Sequence, residues 1–119
     1  MADSVLRTKS KEFAKDIVFL CRNLNLKHNG VESALINQLL RCGTSIGANV
    51  HEAQYAQGTK DFISKFEIAL KECNESEYWL ELLFETNSLT EADFKNFHCK
   101  CIELRRMLVS SVTTLKTKQ

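Results

Sequence analysis

The sequence predicts an all-α fold, an antiparallel up-down-up-down four-helix bundle. Three observations carry that expectation. Proline is absent and glycine occurs only four times in 119 residues, so little interrupts a helix. Apolar residues recur at spacings of three and four through four long segments, the period of a buried helical stripe. The breaks between segments span only about four or five residues, which sets successive helices side by side and antiparallel. A chain of this length is expected to form one domain, residues 1–119, with a hydrophobic core of its own.

The first helix is expected over residues 4–25. Leu6, Phe13, Ile17, Leu20 and Leu24 fall within about 60° of one another at 100° per residue, which marks the buried face. Arg7, Lys11, Lys15 and Arg22 fall opposite. Asn25 to Gly30 is rich in turn formers and makes the first connection.

The second helix is expected over residues 31–55. Leu35, Leu39, Cys42, Ile46, Val50 and Ala53 form its main stripe, and Ile36, Leu40, Gly43 and Gly47 form another about 100° away. A helix at the edge of a monomeric bundle needs one stripe, so this helix is expected either to be central or to pack also against another subunit, with the glycine side as the expected contact. Ser45, Asn49 and Glu52 make a narrow polar row beside the apolar one. Gly58 is expected as a left-handed helix end and Thr59 as the next N-cap.

The third helix is expected over residues 60–86, with Phe62, Phe66, Ala69, Cys73, Leu80 and Phe84 as its core stripe. Glu77 falls at the edge of that stripe, where an unpaired carboxylate would cost several kcal/mol and therefore needs a partner. Ile68, Glu72, Glu75, Trp79 and Leu82 form a separate row. Tryptophan beside leucine off the core is an expected interface anchor.

The fourth helix is expected over residues 91–116. Thr90 suits the N-cap, and Leu89 and Phe94 suit a hydrophobic staple. Phe97, Cys101, Leu104, Leu108, Val112 and Leu115 continue the core stripe, with Arg105 at its edge. In an antiparallel bundle Arg105 can reach Glu77 or Glu52, with Asn49 joining by hydrogen bonds. Ser45, Asn49, Glu52, Glu77 and Arg105 are thus read as one polar-core motif, which fixes helix register more than it adds net stability; the alternative reading of the set is a small-molecule or ion pocket built on Glu77 and Arg105.

Composition narrows the function classes. The five cysteines lack the paired, loop-rich spacing of a secreted disulfide scaffold, so Cys21, Cys42, Cys73 and Cys101 are expected to be reduced core thiols. No apolar run approaches 18 residues and no leader is evident, so no membrane contact and a cytoplasmic location are expected. His98 and Cys101 lie one turn apart, but no second Cys/His pair supplies the remaining ligands, so no metal site is expected. No nucleophile with its base and no phosphate loop is recognisable, so neither a cofactor nor enzymatic activity is expected.

Net charge is only +1, but it is unevenly spread. Residues 1–27 hold six Lys/Arg against three Asp/Glu, residues 59–87 three against seven, and residues 88–119 six against three. Such opposite faces suit complementarity between helices or between subunits.

Residues 45–52 and 62–83 resemble a known family, the small four-helix-bundle proteins named for reading frames in intervening sequences of bacterial 23S ribosomal RNA genes. The likeness rests on Ser45-Ile46-x-Ala48-Asn49-x-x-Glu52, on Phe62 and Phe66, on Ile68-Ala69-Leu70-Lys71-Glu72, and on Glu75-Ser76-Glu77-Tyr78-Trp79-Leu80. It covers nearly the whole chain, with the first and fourth helices matching in pattern alone. The resemblance implies a bundle that assembles as a ring-like homopentamer. The chain is also similar to the accessory protein of diversity-generating retroelements, a basic pentamer that binds nucleic acid and works with a reverse transcriptase.

The expected function is a non-enzymatic homo-oligomeric scaffold or adaptor, pentameric by that resemblance. Gly43, Gly47, Ile68, Trp79 and Leu82 are its expected interface, and RNA, DNA or a protein its partner. The alternative is a nucleic-acid-binding accessory protein that uses the basic faces of helices one and four, with Arg7, Lys11, Lys15, Arg22 and Arg106 on phosphates.

Overall fold

A computed structural model describes the backbone of residues 2–118 and the side chains of residues 4–118. Four helices follow one another: α1 (Ala2–Lys27), α2 (Val31–Ala53), α3 (Thr59–Glu85) and α4 (Glu91–Thr117). Each packs on its neighbours in sequence, α4 returns to α1 along a thinner contact, and the two diagonal pairs stay apart. The result is an antiparallel four-helix bundle of 47 × 22 × 19 Å. No described helix is long and apolar enough to cross a membrane.

The core runs the length of the bundle and is filled by most of the expected stripes of α1, α2 and α4; Ile36, expected on the second stripe of α2, is fully buried, while Leu35 and Leu115 lie half-buried at the edge. On α3 the buried face is turned from the expected one. Ile63, Ser76 and Leu83 are buried with Phe66, Ala69, Cys73 and Leu80, while Phe62 and Phe84 lie half-buried at its edge. The bulky rings drew the expectation towards themselves. In the structure they stack beside the core, Phe62 on Phe66 and Phe84 on Phe94, each pair with centroids 4.5 Å apart.

The connections correct several local expectations. The first turn is His28-Asn29-Gly30 alone, and Gly30 adopts a left-handed φ of 65° immediately before α2. Helix α2 stops at Ala53, and Gly58 has an extended φ of 160° instead of a left-handed one. Thr59 is the first residue of α3 and does not cap it. Asp61, one turn into the helix, accepts the Gln57 amide instead.

At the start of α4 the Thr90 hydroxyl accepts the Asp93 amide at 3.1 Å, and Leu89 is buried beside it. The preceding helix ends with Asn87 at a φ of 66°. The Ser88 and Asn87 amides there donate back to the Leu83 and Phe84 carbonyls, a Schellman arrangement that satisfies the last turn of α3.

The two glycines of α2 serve the chain's own first helix. A Cβ on Gly47 would lie 3.0 Å from the Ser10 carbonyl oxygen, and one on Gly43 would lie 3.0 Å from the Ile17 side chain. The close backbone approach expected with a second subunit is therefore made by α1. Cys21, Cys42, Cys73 and Cys101 are buried thiols and Cys99 is exposed. Burial, helped by Cys42, pushes the Cys21 thiol up to about 12, and burial also raises Cys42. Cys101 is raised by the hydrogen bond with Cys73 and then by burial. Thiols held protonated in this way act as small core hydrophobes.

Candidate functional site

The five residues read as one polar motif separate into two groups. Glu77 and Arg105 come together across α3 and α4, where an Arg105 guanidinium nitrogen donates to Glu77 Oε2. The other carboxylate oxygen, Oε1, faces His98 Nε2 at 3.2 Å. All three side chains are half-buried at the edge of the core, where a charge-assisted pair outlasts competition from water better than on an open surface. Phe94 packs on the His98 ring with centroids 5.1 Å apart, and Phe94 in turn stacks on Phe84. Glu81, one turn beyond Glu77, brings a second carboxylate within 4.8 Å of this group.

Glu81 is absent from the sequence reading, and His98 is paired there with Cys101, one turn away; in the structure Cys101 is fully buried while His98 turns to Glu77. The i, i+4 spacing of Glu77 and Glu81 was the available signal.

Ser45 and Asn49 stay on α2 and do not enter this network. The Ser45 hydroxyl donates to the Arg41 carbonyl at 2.6 Å, and the Asn49 amide donates to the Ser45 carbonyl at 2.8 Å. Each short side chain finds a backbone acceptor one turn back before any partner across the bundle. Glu52 is exposed.

Ser45, Asn49 and Glu52 instead flank the outer seam between α2 and α3. Arg41 and Glu75 approach across that seam to 3.7 Å, and the Ser76 hydroxyl meets Cys42 Sγ at 3.3 Å. Ile68, Glu72, Glu75, Trp79 and Leu82 line the same flank of α3, opposite the flank that carries Glu77. Ile68 is 39% exposed, Trp79 and Leu82 are half-buried, and the neighbouring Tyr78 is 58% exposed.

Glu72 Oε2 is closed off from solvent and has no hydrogen-bond partner among the described residues. Burial raises the Glu72 carboxyl above the ordinary carboxylate range and Glu75 adds to this, against Arg41 and Lys71. A half-buried carboxylate without a donor is an unmet demand for one.

Arg7, Lys11, Lys15, Arg22 and Arg106 are all exposed. Arg7 donates to Gln54, and Arg22 lies 5.7 Å from the Phe19 ring centroid. Arg7 and Lys11 line an open groove of about 740 Å³ between α1 and α2, together with Thr8, Thr44, Gly47 and His51. Other lysines are engaged within the chain: Lys9 with Glu103, Lys100 with Asp16 and Lys116 with Glu67.

Comparison with known proteins agrees with the fold. No curated protein matches the chain. Among solved structures, a protein of unknown function from the S23 ribosomal protein family of Bacteroides thetaiotaomicron is 45% identical, with a TM-score of 0.89 over 95% of this chain and 99% of that one. The family model for the 23S rRNA-intervening sequence protein matches residues 2–110. Nearly all of the bundle, both seams of α3 included, falls within that match, and the chain belongs to the 23S rRNA-intervening sequence protein family.

Proposed function

We propose that the protein is a non-enzymatic homo-oligomeric scaffold or adaptor whose self-association surface is the outer α2–α3 seam. The observation that carries this reading is the row of Ile68, Trp79 and Leu82, apolar side chains gathered outside the core on one flank of α3, with the exposed Tyr78 beside them. A neighbouring copy that covers this row takes its apolar surface out of water.

A ring needs two different faces on each copy, because the contact runs head to tail. Charge complementarity supplies the second face: the acidic flank of α3 matches the basic row of Arg7, Lys11, Lys15 and Arg22 on α1. With five copies, the number implied by the family resemblance, such a ring closes as a homopentamer.

Light scattering on the eluting protein tests this directly. The wild type is expected at five times the 13.6 kDa chain mass, and Ile68→Lys at a lower mass with its helicity unchanged. Ile68 is exposed enough for this change to spare the fold. An unchanged mass for Ile68→Lys and Trp79→Ala would remove this seam from the interface.

The α1–α2 groove favours a second reading, nucleic-acid binding through exposed basic residues. Binding of a short structured RNA would then weaken steeply between low and physiological salt, and Lys11→Glu would weaken it further. Salt-independent binding, or none, would leave the scaffold reading alone.

A further inference from the structure

We propose that Glu77, Glu81 and His98 form a binding site for a divalent transition-metal ion of the zinc type on the α3–α4 flank. One carboxylate oxygen from each glutamate and one imidazole nitrogen lie within 4.8 Å of one another. Ligands of a tetrahedral ion bound at 2.0–2.1 Å stand about 3.3 Å apart, so the donors need to draw in by up to about 1.5 Å. Half-buried side chains at a helix edge have that freedom, and a partly open site leaves positions for water.

Two independent features separate this group from an ordinary acidic patch. Two of its three donors are already held in place: Arg105 fixes Glu77 through Oε2 and leaves Oε1 turned to His98 Nε2 at 3.2 Å, while Phe94 packs on the His98 ring. Such supporting contacts are what orient metal ligands.

The second feature is electrostatic. Glu77 and Glu81 stand at i, i+4, where like charges destabilise a helix, and among the described residues both ion-pair contacts formed at either, from Arg105 and from His98, fall on Glu77. Two carboxylates therefore face one guanidinium, a surplus of negative charge beside a nitrogen ligand. One imidazole with two carboxylates suits a borderline ion better than calcium or magnesium, which take oxygen ligands alone. The donors come from two helices, so a bound ion ties α3 to α4.

The test is a titration of the full chain with Co²⁺ as a spectroscopic probe and with Zn²⁺ by calorimetry, after removal of metal with a chelator. A single saturable site per chain is expected, with d–d absorption for Co²⁺ and a rise in melting temperature on adding Zn²⁺ that the chelator reverses. Glu81→Gln and His98→Gln should each weaken binding by about tenfold or more, while Cys99→Ser binds as the wild type does. Glu81→Gln leaves the Arg105 and His98 contacts of Glu77 in place, so loss of binding there is not loss of fold. No saturable binding, or binding unaffected by Glu81→Gln and His98→Gln, would overturn the assignment. Loss of binding in Cys99→Ser would overturn it as well, by moving the ion to the exposed thiol.

Discussion

Gly47 faces a backbone carbonyl that cannot move without moving all of α1. Replacing a helical glycine by alanine ordinarily gains about 1 kcal/mol of helix propensity. Here the new methyl would stand 3.0 Å from the Ser10 oxygen, and overpacking of that kind costs about 1–3 kcal/mol. Gly47→Ala is therefore expected to lower stability by up to about 2 kcal/mol despite its better propensity, which urea unfolding will show. Net stabilisation would mean that α1 gives way more easily than packing on Gly47 implies.

Glu72 has the opposite character, a residue the isolated fold would do better without. Folding raises its carboxyl, so the folded chain holds the proton more tightly than the unfolded one, and stability falls as pH rises through the folded value. Glu72→Gln should stabilise the dissociated chain near neutrality, with the gain vanishing below the ordinary carboxylate range. Unfolding measured at dilute concentration across that range checks the sign.

The contrast between these residues shows what the sequence could tell. Both glycines were legible as a place of close approach, but which helix approaches is a question of tertiary pairing that the 3.6-residue period leaves open. The Glu77–Arg105 pair followed from similar depth on antiparallel neighbours. Asn49 and Ser45 were misplaced because a helical period assigns a face and says nothing of the backbone acceptor one turn back.

Among the elements, α4 has the most explicit start. The Thr90 hydroxyl takes the Asp93 amide, and Leu89 is buried before the cap. Thr90→Ala should cost about 1 kcal/mol, with Thr90→Ser recovering most of it, as thermal melts will show. A loss confined to a few tenths would mean that the Schellman end of α3 fixes this corner by itself.

Helix α4 was readable because its cap is made by side chains. Helix α3 was harder, because Gly58 offers no capping side chain and its starting turn is tied by Asp61 from within. Its buried face was misjudged for a different reason. Phenylalanines signal burial strongly, yet Phe62 and Phe84 stack at the edge while the small Ser76 is fully enclosed against Cys42. Hydrophobic size pointed one way and fit against α2 the other.

For the whole molecule, the fold class was the most legible feature and the surfaces the least. Four long periodic segments and three short connections leave few arrangements to choose from. What an exposed row can bind depends on details below the resolution of a periodicity, such as two carboxylates brought around one histidine. The exposed Phe19, Leu26 and Val31 near the first turn were likewise not singled out, since isolated apolar residues on a helix surface are ordinary.

The thin contact between α1 and α4 has a consequence for how the bundle breathes. Helices α2 and α3 are each gripped along both sides, while α1 and α4 are each gripped firmly along one. Opening along the α1–α4 line breaks the fewest contacts, so the first and last helices should swing away from a central hairpin that remains intact. Amide hydrogen exchange would show this as a graded pattern, slowest at Leu39–Val50 and Phe66–Leu80 and faster by at least an order of magnitude in the outer two helices. Equal rates in all four would mean that the bundle opens only as a whole.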